Sequence, residues 1–302
     1  MKKSLFLSVC MNPTFQRTLV LPKLIPDTVN RIGEYFFDAS GKGINVCRVL
    51  TQLGKNCIHL TQLGGSLRHA FLDLCAKDGL KLNWVESESA IRFAYTVIDM
   101  EKLEVTELVE EGDRVGEETE GRFLDAFDKI LPEAAWLIIS GSKAQGFSPA
   151  LIPEMVRRAK NLKVSVILDI RGTDLLNSLP YRPDLIKPNF DEFAATFAPQ
   201  IPKGQPLDKE NTSRLFSEIY NQYGCRIILT RGNRNIWYSC GGELEEFPVE
   251  AVKPVNTTGS GDAFTAGLAA ALSESASLKE ALVEACRCGR LNAALIRPGV
   301  IF

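Results

Sequence analysis

Along most of the chain, short apolar runs alternate with stretches in which apolar residues recur at helical spacing. The apolar runs are residues 5–10, 57–61, 136–140, 164–169, 185–187 and 226–230. Between them lie amphipathic stretches at 43–53, 70–78, 120–131, 151–160 and 211–223. Short strands separated by helices predict βαβ units and a mostly parallel sheet covered by helices on both faces, an α/β fold. After Thr230 the pattern becomes a meander, 235–239 and 243–249 about a Gly241-Gly242 turn. Two helices then follow at 260–272 and 278–296, the second opened by a capping box, Ser277 with Glu280.

Four segments do not fit the βαβ rhythm. Residues 17–21 and 31–37 interrupt the first crossover, and 92–99 with 104–109 read as a hairpin turning at Met100-Glu101-Lys102. They predict a second, small sheet built from about 16–37 and 91–109. A one-layer sheet of this size is weakly stable alone, so it must lean on the main body, a ligand or a second subunit. The expected organisation is one domain, 1–302, with this sheet inserted from two places.

Composition narrows the function. The chain has 302 residues, 45% hydrophobic and 24% charged, and a formal net charge of -2. Such a balance lacks the basic footprint of a nucleic-acid binder. Eight cysteines and two histidines argue against both a disulfide scaffold and a zinc site. Buried reduced thiols in the cytoplasm are expected instead. The apolar run at 5–10 ends in Met11-Asn12-Pro13 without a small-residue cleavage pattern, which reads as a buried first strand rather than a leader. No run is long enough to predict a membrane span.

Three polar motifs carry the candidate chemistry. Gly259-Ser260-Gly261-Asp262 opens a helix. Unpaired amides at a helix start, at the positive end of its dipole, make an anion hole, and Asp262 beside it is placed to accept a proton from an attacking hydroxyl. Read alone, the motif is equally an ordinary acidic N-terminus. Ser40-Gly41-Lys42-Gly43-Ile44-Asn45 opens another helix with two glycines and a cation, and is not a Walker A loop because Gly43 follows Lys42. Lys187-Pro188-Asn189-Phe190-Asp191-Glu192 follows a strand, where α/β sheets face their ligand crevice. Asn189 and Glu192 could hold a hydrated Mg²⁺ or simply belong to a helix N-terminus with favourable acids.

The order of these motifs resembles the ribokinase-like (PfkB) family of carbohydrate kinases over essentially the whole chain. The stretches most similar to its 1-phosphofructokinase and tagatose-6-phosphate kinase branch are Asn12-Pro13, Val29-Asn30-Arg31, 41–50, Ser140-Gly141-Ser142, 186–189 and 259–262. The resemblance implies an ATP- and Mg²⁺-dependent kinase for a phosphorylated ketohexose. Asp262 would be the base and Gly259, Ser260, Gly261 and Asp262 the anion hole. Lys187, Asn189, Thr230, Gly232 and Asn292 would serve the nucleotide, and Asn189 and Glu192 the metal through water. Arg31, Lys42 and Arg92 would clamp the acceptor's phosphate. Gln16, Gly41, Gly43, Asn45 and Ser142 would line the sugar, under a lid formed by the small sheet, with a homodimer through that lid.

Several positions depart from the family pattern: Gln16 stands where an Asp is usual, Ser40 and Asn235 replace glycines, Arg68 follows Gly64-Gly65, and Lys143 follows Ser140-Gly141-Ser142. Most of these fall on the sugar side, which implies an altered acceptor preference. An unphosphorylated sugar, a nucleoside, or a non-catalytic sugar-phosphate sensor on the same fold are the alternatives.

Overall fold

The computed structural model describes residues 4–200 and 207–302. Its strands are β1 (Leu5–Val9), β2 (Thr14–Leu21), β3 (Glu34–Ser40), β4 (Cys57–Leu63), β5 (Lys81–Glu86), β6 (Arg92–Asp99), β7 (Glu104–Val109), β8 (Ala134–Ser140), β9 (Ser165–Asp169), β10 (Leu185–Ile186), β11 (Arg226–Arg231), β12 (Arg234–Cys240) and β13 (Glu243–Phe247). The α-helices are α1 (Lys42–Gln52), α2 (Arg68–Lys77), α3 (Thr119–Ile130), α4 (Leu151–Asn161), α5 (Gly172–Ser178), α6 (Phe190–Phe197), α7 (Lys209–Tyr223), α8 (Ser260–Ser273) and α9 (Leu278–Ala293).

Nine strands form one sheet in the order β13-β12-β11-β10-β9-β8-β1-β4-β5, parallel from β11 to β5, with β12 and β13 antiparallel at one edge. Alternation along β1 explains its position. Leu5, Leu7 and Val9 enter one core with α3, α4, α6 and α7, while Phe6 enters another with α1, α2, α8 and α9. A strand apolar on both sides is stable only with helices on both faces. Helix α8 is buried nearly all round, and Gly267 is required there because a Cβ would stand 2.8 Å from Cys288 Sγ on α9.

The small sheet runs β3-β2-β6-β7, with β2 and β6 parallel and both outer pairs antiparallel. Its two halves leave the large sheet after β1 and β5, at the carboxyl ends of parallel strands, so it overhangs the crevice where ligands enter such sheets. The hairpin 92–99/104–109 forms with the expected bounds. The other half is shifted: β3 begins at Glu34, because Asn30 bonds the backbone of Ile25 and holds 25–30 as a loop. Two elements go beyond the sequence expectation. β5 is an edge strand with mostly exposed or half-buried positions, and α5 is too short to show a period.

The cysteines are free, and six of the eight are buried. Among the described residues no helix is long and apolar enough to cross a membrane.

Candidate active site

Chain order in the large sheet reverses at β1, which has β4 on one side and β8 on the other. Polar side chains gather beyond the carboxyl ends of the strands around this switch point, on the N-termini of α1 and α8. Both helices start there because glycine permits it. A Cβ on Gly43 would stand 2.7 Å from the carbonyl oxygen of Val9, so α1 can approach β1 only with glycine at that position. Ser8 Oγ ties the same turn down by donating to the Gly43 carbonyl (2.6 Å). Gly259 caps α8 with φ +82°, and a Cβ there would meet the Gly299 amide nitrogen at 2.7 Å.

The two helix starts meet through one bond: Asn45 Nδ2 donates to Asp262 Oδ2 (2.8 Å). Asp262 is only 6% exposed. Burial pushes its carboxyl up to about 7, with Lys42 and Asn45 opposing and the Asp169 charge adding to the rise. A carboxyl poised near neutrality beside a helix N-terminus is what general-base catalysis uses. The Ser260 amide is spent on Thr257 O, while those of Gly261 and Asp262 remain as first-turn donors. Lys187 Nζ lies 3.9 Å from where a Gly261 side chain would begin, so a cation flanks the anion hole.

Asp169, at the end of β9, was not singled out by the sequence reading. Its Oδ2 faces Lys187 Nζ (3.2 Å) and accepts from Thr265 Oγ1 (3.2 Å); its Oδ1 lies 3.7 Å from Lys42 Nζ and has no hydrogen-bond partner. Burial works to raise this carboxyl, but Lys187 and Lys42 hold it below the ordinary carboxylate range. The available signal was its place as the last residue of an apolar strand facing the crevice.

Lys42 departs from its expected role. Instead of joining a phosphate clamp, its Nζ bonds Glu192 Oε1 (3.2 Å) and approaches Asp169, and Asp169 foremost raises its pKa despite burial. It sits with the carboxylates of Asp169 and Glu192. Asn189 and Glu192 open α6 as a reciprocal capping box, and Glu192 still turns its second oxygen to Lys42. Thr230 pairs beside Asn189 at the end of β11, and Gly232 (φ +64°) makes the β11–β12 turn. Asn292 does not line an open pocket. It is fully buried, donating to Val300 O (2.9 Å) and accepting from Ser260 Oγ (3.3 Å), and so ties the anion hole to the C-terminal segment.

The residues expected to meet the acceptor are less assembled. Gln16 is buried and donates to Thr96 Oγ1 (2.8 Å) across the small sheet. Asn12 Nδ2 donates to the exposed Ser142 Oγ (3.3 Å), next to Gly141 and beside Gly41. Arg92 donates to Glu110 O (3.0 Å), while its Nε is buried without a partner. Lys143 pairs with Asp174 on α5 rather than standing free over a phosphate site. Arg31 is exposed and precedes β3, whose other end, Ser40, adjoins the site. At about 3.3 Å per residue, the seven residues of β3 put its far end, Glu34, where the loop bearing Arg31 joins it, about 20 Å from Ser40. Within one chain, Arg31, Lys42 and Arg92 are not brought together.

The donors suited to a magnesium ion are all oxygens: the unpartnered Asp169 Oδ1, Glu192 and Asn189. No group of three His, Cys, Asp or Glu converges among the described residues. This arrangement fits Mg²⁺ held largely through water and phosphate rather than in an all-protein cage.

Comparison with known proteins agrees with this geometry. The pfkB family carbohydrate kinase pattern matches residues 7–296. Phosphofructokinase-2 from Escherichia coli in complex with fructose-6-phosphate superposes with a TM-score of 0.83 at 22% identity, over 97% of this chain and 94% of that one. A protein from Thermotoga maritima described as a possible 1-phosphofructokinase gives 0.86 at 20% identity, over 97% and 93%. Ribokinase from the same organism gives 0.73 at 19% identity, over 98% and 95%. At such identities the likeness of these structures establishes the fold, ribokinase-like as expected. The family match establishes more: the chain belongs to the pfkB family of carbohydrate kinases, sugar kinases that take their phosphoryl group from ATP.

Proposed function

We propose that the protein transfers the γ-phosphoryl group of ATP to a hydroxyl of a phosphorylated ketohexose, with residues 1–302 acting as one kinase unit. The observation that carries this is the buried Asp262 carboxyl, held by Asn45 at the mouth of an anion hole flanked by Lys187. Asp262 accepts the proton of the acceptor hydroxyl as it attacks. The Gly261 and Asp262 amides, with Lys187, balance charge on the transferring group in a site shielded from water. Asp169 keeps Lys187 and Lys42 aimed into the crevice. A bound Mg²⁺, held by Asp169, Glu192 and Asn189 through water, would neutralise phosphate charge.

The acceptor lies under the small sheet, which acts as a lid excluding water during transfer. Gln16, Asp38, Thr96 and Arg92 share its inward face, and Glu107 on that face accepts from Thr258 Oγ1 (2.8 Å) beside the anion hole. Arg92 opposes Thr14 at the inner end of the sheet, where it is placed to receive a phosphate already on the sugar. A phosphorylated acceptor also accords with the Escherichia coli phosphofructokinase-2 above, whose structure is a complex with fructose-6-phosphate.

The opposite face carries the aromatic row Phe15, Phe37, Phe93 and Tyr95 and leaves Tyr35 and Leu108 more than half exposed. We read it as the homodimer surface, through which Arg31 would serve the partner's acceptor site. The deciding experiment is ADP formation with fructose 6-phosphate, fructose 1-phosphate, tagatose 6-phosphate, free hexoses and nucleosides. Turnover confined to phosphorylated ketohexoses is expected. Turnover of free sugars or nucleosides alone would refute the acceptor class, and ligand binding with no turnover would make the protein a sensor.

A further inference from the structure

Behind Asp262 runs a series of polar side chains that the transfer chemistry does not itself use. Asn45 donates to Asp262 through Nδ2, while its Oδ1 accepts from Arg48 Nη1 (2.8 Å) and Ser40 Oγ (3.2 Å). Arg48 is 1% exposed, and its other nitrogens are also engaged: Nε donates to Asp78 Oδ2 (2.8 Å) and Nη2 to the carbonyl of Ala39. Asp78, at the end of α2, is gripped in turn by Arg297 Nη2 at both oxygens (2.8 and 2.7 Å). Arg297 Nε donates to Asp38 on β3.

The direction of these bonds is forced. A guanidinium only donates and an ionised carboxylate only accepts. Asn45 stands between one of each, so its oxygen must face Arg48 and its nitrogen Asp262. An asparagine amide has nearly the same shape after a half-turn, so shape alone would not choose. Contact from the C-terminal segment confines it further, since a Cβ on Gly299 would stand 2.7 Å from Asn45 Oδ1. Without Arg48, the Asn45 oxygen could turn toward the Asp262 carboxylate and repel it.

We propose that Arg48 is a positioning residue for Asp262, acting through Asn45, with Asp78 and Arg297 holding Arg48 in place. The inference rests on Asp262 being the base. The charged and titratable groups facing Asp262 are Lys42 on α1, Asp169 at the end of β9, Lys187 after β10 and the Cys10 thiol after β1. Arg48 touches none of them directly, and its effect passes through the Asn45 donor.

The test titrates the Asp262 carboxyl by carbon-13 NMR in aspartate-labelled protein, its resonance assigned by loss in Asp262→Asn. This needs no acceptor, so it stands even if no sugar in the panel is phosphorylated and the kinase assignment fails. Loss of the donor should raise the Asp262 midpoint in Arg48→Met by about one unit. The acid limb of kcat/KM for the best acceptor in the panel should then move by the same amount, an about tenfold loss at fixed pH below the midpoint. Asn45→Leu should give a shift of the same sign, and adding Arg48→Met to it should move the midpoint no further. Should Arg48→Met fail to fold, Arg297→Met loosens Arg48 from its far side and should give a smaller rise. An unchanged midpoint in the folded variant overturns the proposal. So does an Arg48 effect that persists in the Asn45→Leu background, which would be the direct loss of a nearby charge.

Discussion

The proposed transfer end and the proposed acceptor end of the crevice are built on opposite plans. At the transfer end Lys42, Lys187, Asp169, Glu192 and Asp262 lie within one chain, each against a counter-charge or a fixed donor. At the acceptor end Arg31 is exposed, Arg92 has an unpartnered nitrogen, and Gln16 is turned onto Thr96. Chemistry common to every substrate can be assembled in advance, because the same charges develop at each turnover. On the proposed function, recognition is left to groups whose partner is the ligand itself, or a second subunit.

The sharpest way to break this contrast is Asp262→Asn. It should cut kcat by about 10²–10⁴ while leaving ATP binding intact, as measured by steady-state kinetics and calorimetry. A loss below about tenfold would remove the base from the transfer end. Next, Asp169→Asn leaves the buried Lys187 without its counter-charge. Removing one partner of a buried pair costs about 3–5 kcal/mol, and an unfolding titration should fall in or near that range. Activity should fall with it, since Lys187 flanks the anion hole.

The pH dependence tests the same end. The Asp262 carboxyl is raised to about 7 by burial, so activity should fall as the pH drops below about 7. For stability the sign is opposite. A carboxyl raised in the folded state favours folding fully below its unfolded pKa, and this contribution is lost as the pH rises through the folded one. Asp262→Asn should therefore melt above the parent at pH 8, with the gap closing toward pH 4. A constant gap would mean that the carboxyl is not perturbed.

Smaller effects belong to the acceptor end. Arg92→Gln should raise KM for a phosphorylated acceptor by about tenfold or more, the worth of a charge-assisted bond of about 1.5–3 kcal/mol, and hardly affect an unphosphorylated one. Equal losses on both would sink the phosphate assignment. Smallest in stability is Tyr35→Asp, an exposed change expected to stay within about 0.5 kcal/mol. Its readout is sedimentation. A dimer that survives the substitution would argue against the small sheet's outer face as the interface.

The same division explains what the sequence could disclose. The parallel sheet, the meander, the Ser277 capping box and the inserted strands were legible because each is a local pattern of period or turn chemistry. So was the helix start at Gly259-Ser260-Gly261-Asp262, since two glycines before an apolar helical run announce a cluster of free amides. Asp169 went unmarked because its importance comes from Lys42 and Lys187, distant in sequence and joined only by the fold. Lys42 was expected beside Arg31 and Arg92 and instead meets Asp169 and Glu192, for the same reason: a cation near glycines says nothing about which carboxylate it meets. Asn292 looked like a pocket residue by position, whereas burial spends its amide on Ser260 and Val300.

The small sheet also dictates an order of assembly. Its central pair, β2 with β6, joins residues 78 apart in sequence, as in the bond from Thr14 Oγ1 to the Arg92 carbonyl. The chain between them includes β4 and β5 of the large sheet. Closing so long a loop is entropically costly unless structure inside it has already shortened the distance. The β1-β4-β5 half of the large sheet thus serves as the template on which the cover is laid, and a refolding molecule forms that half before the small sheet closes over it.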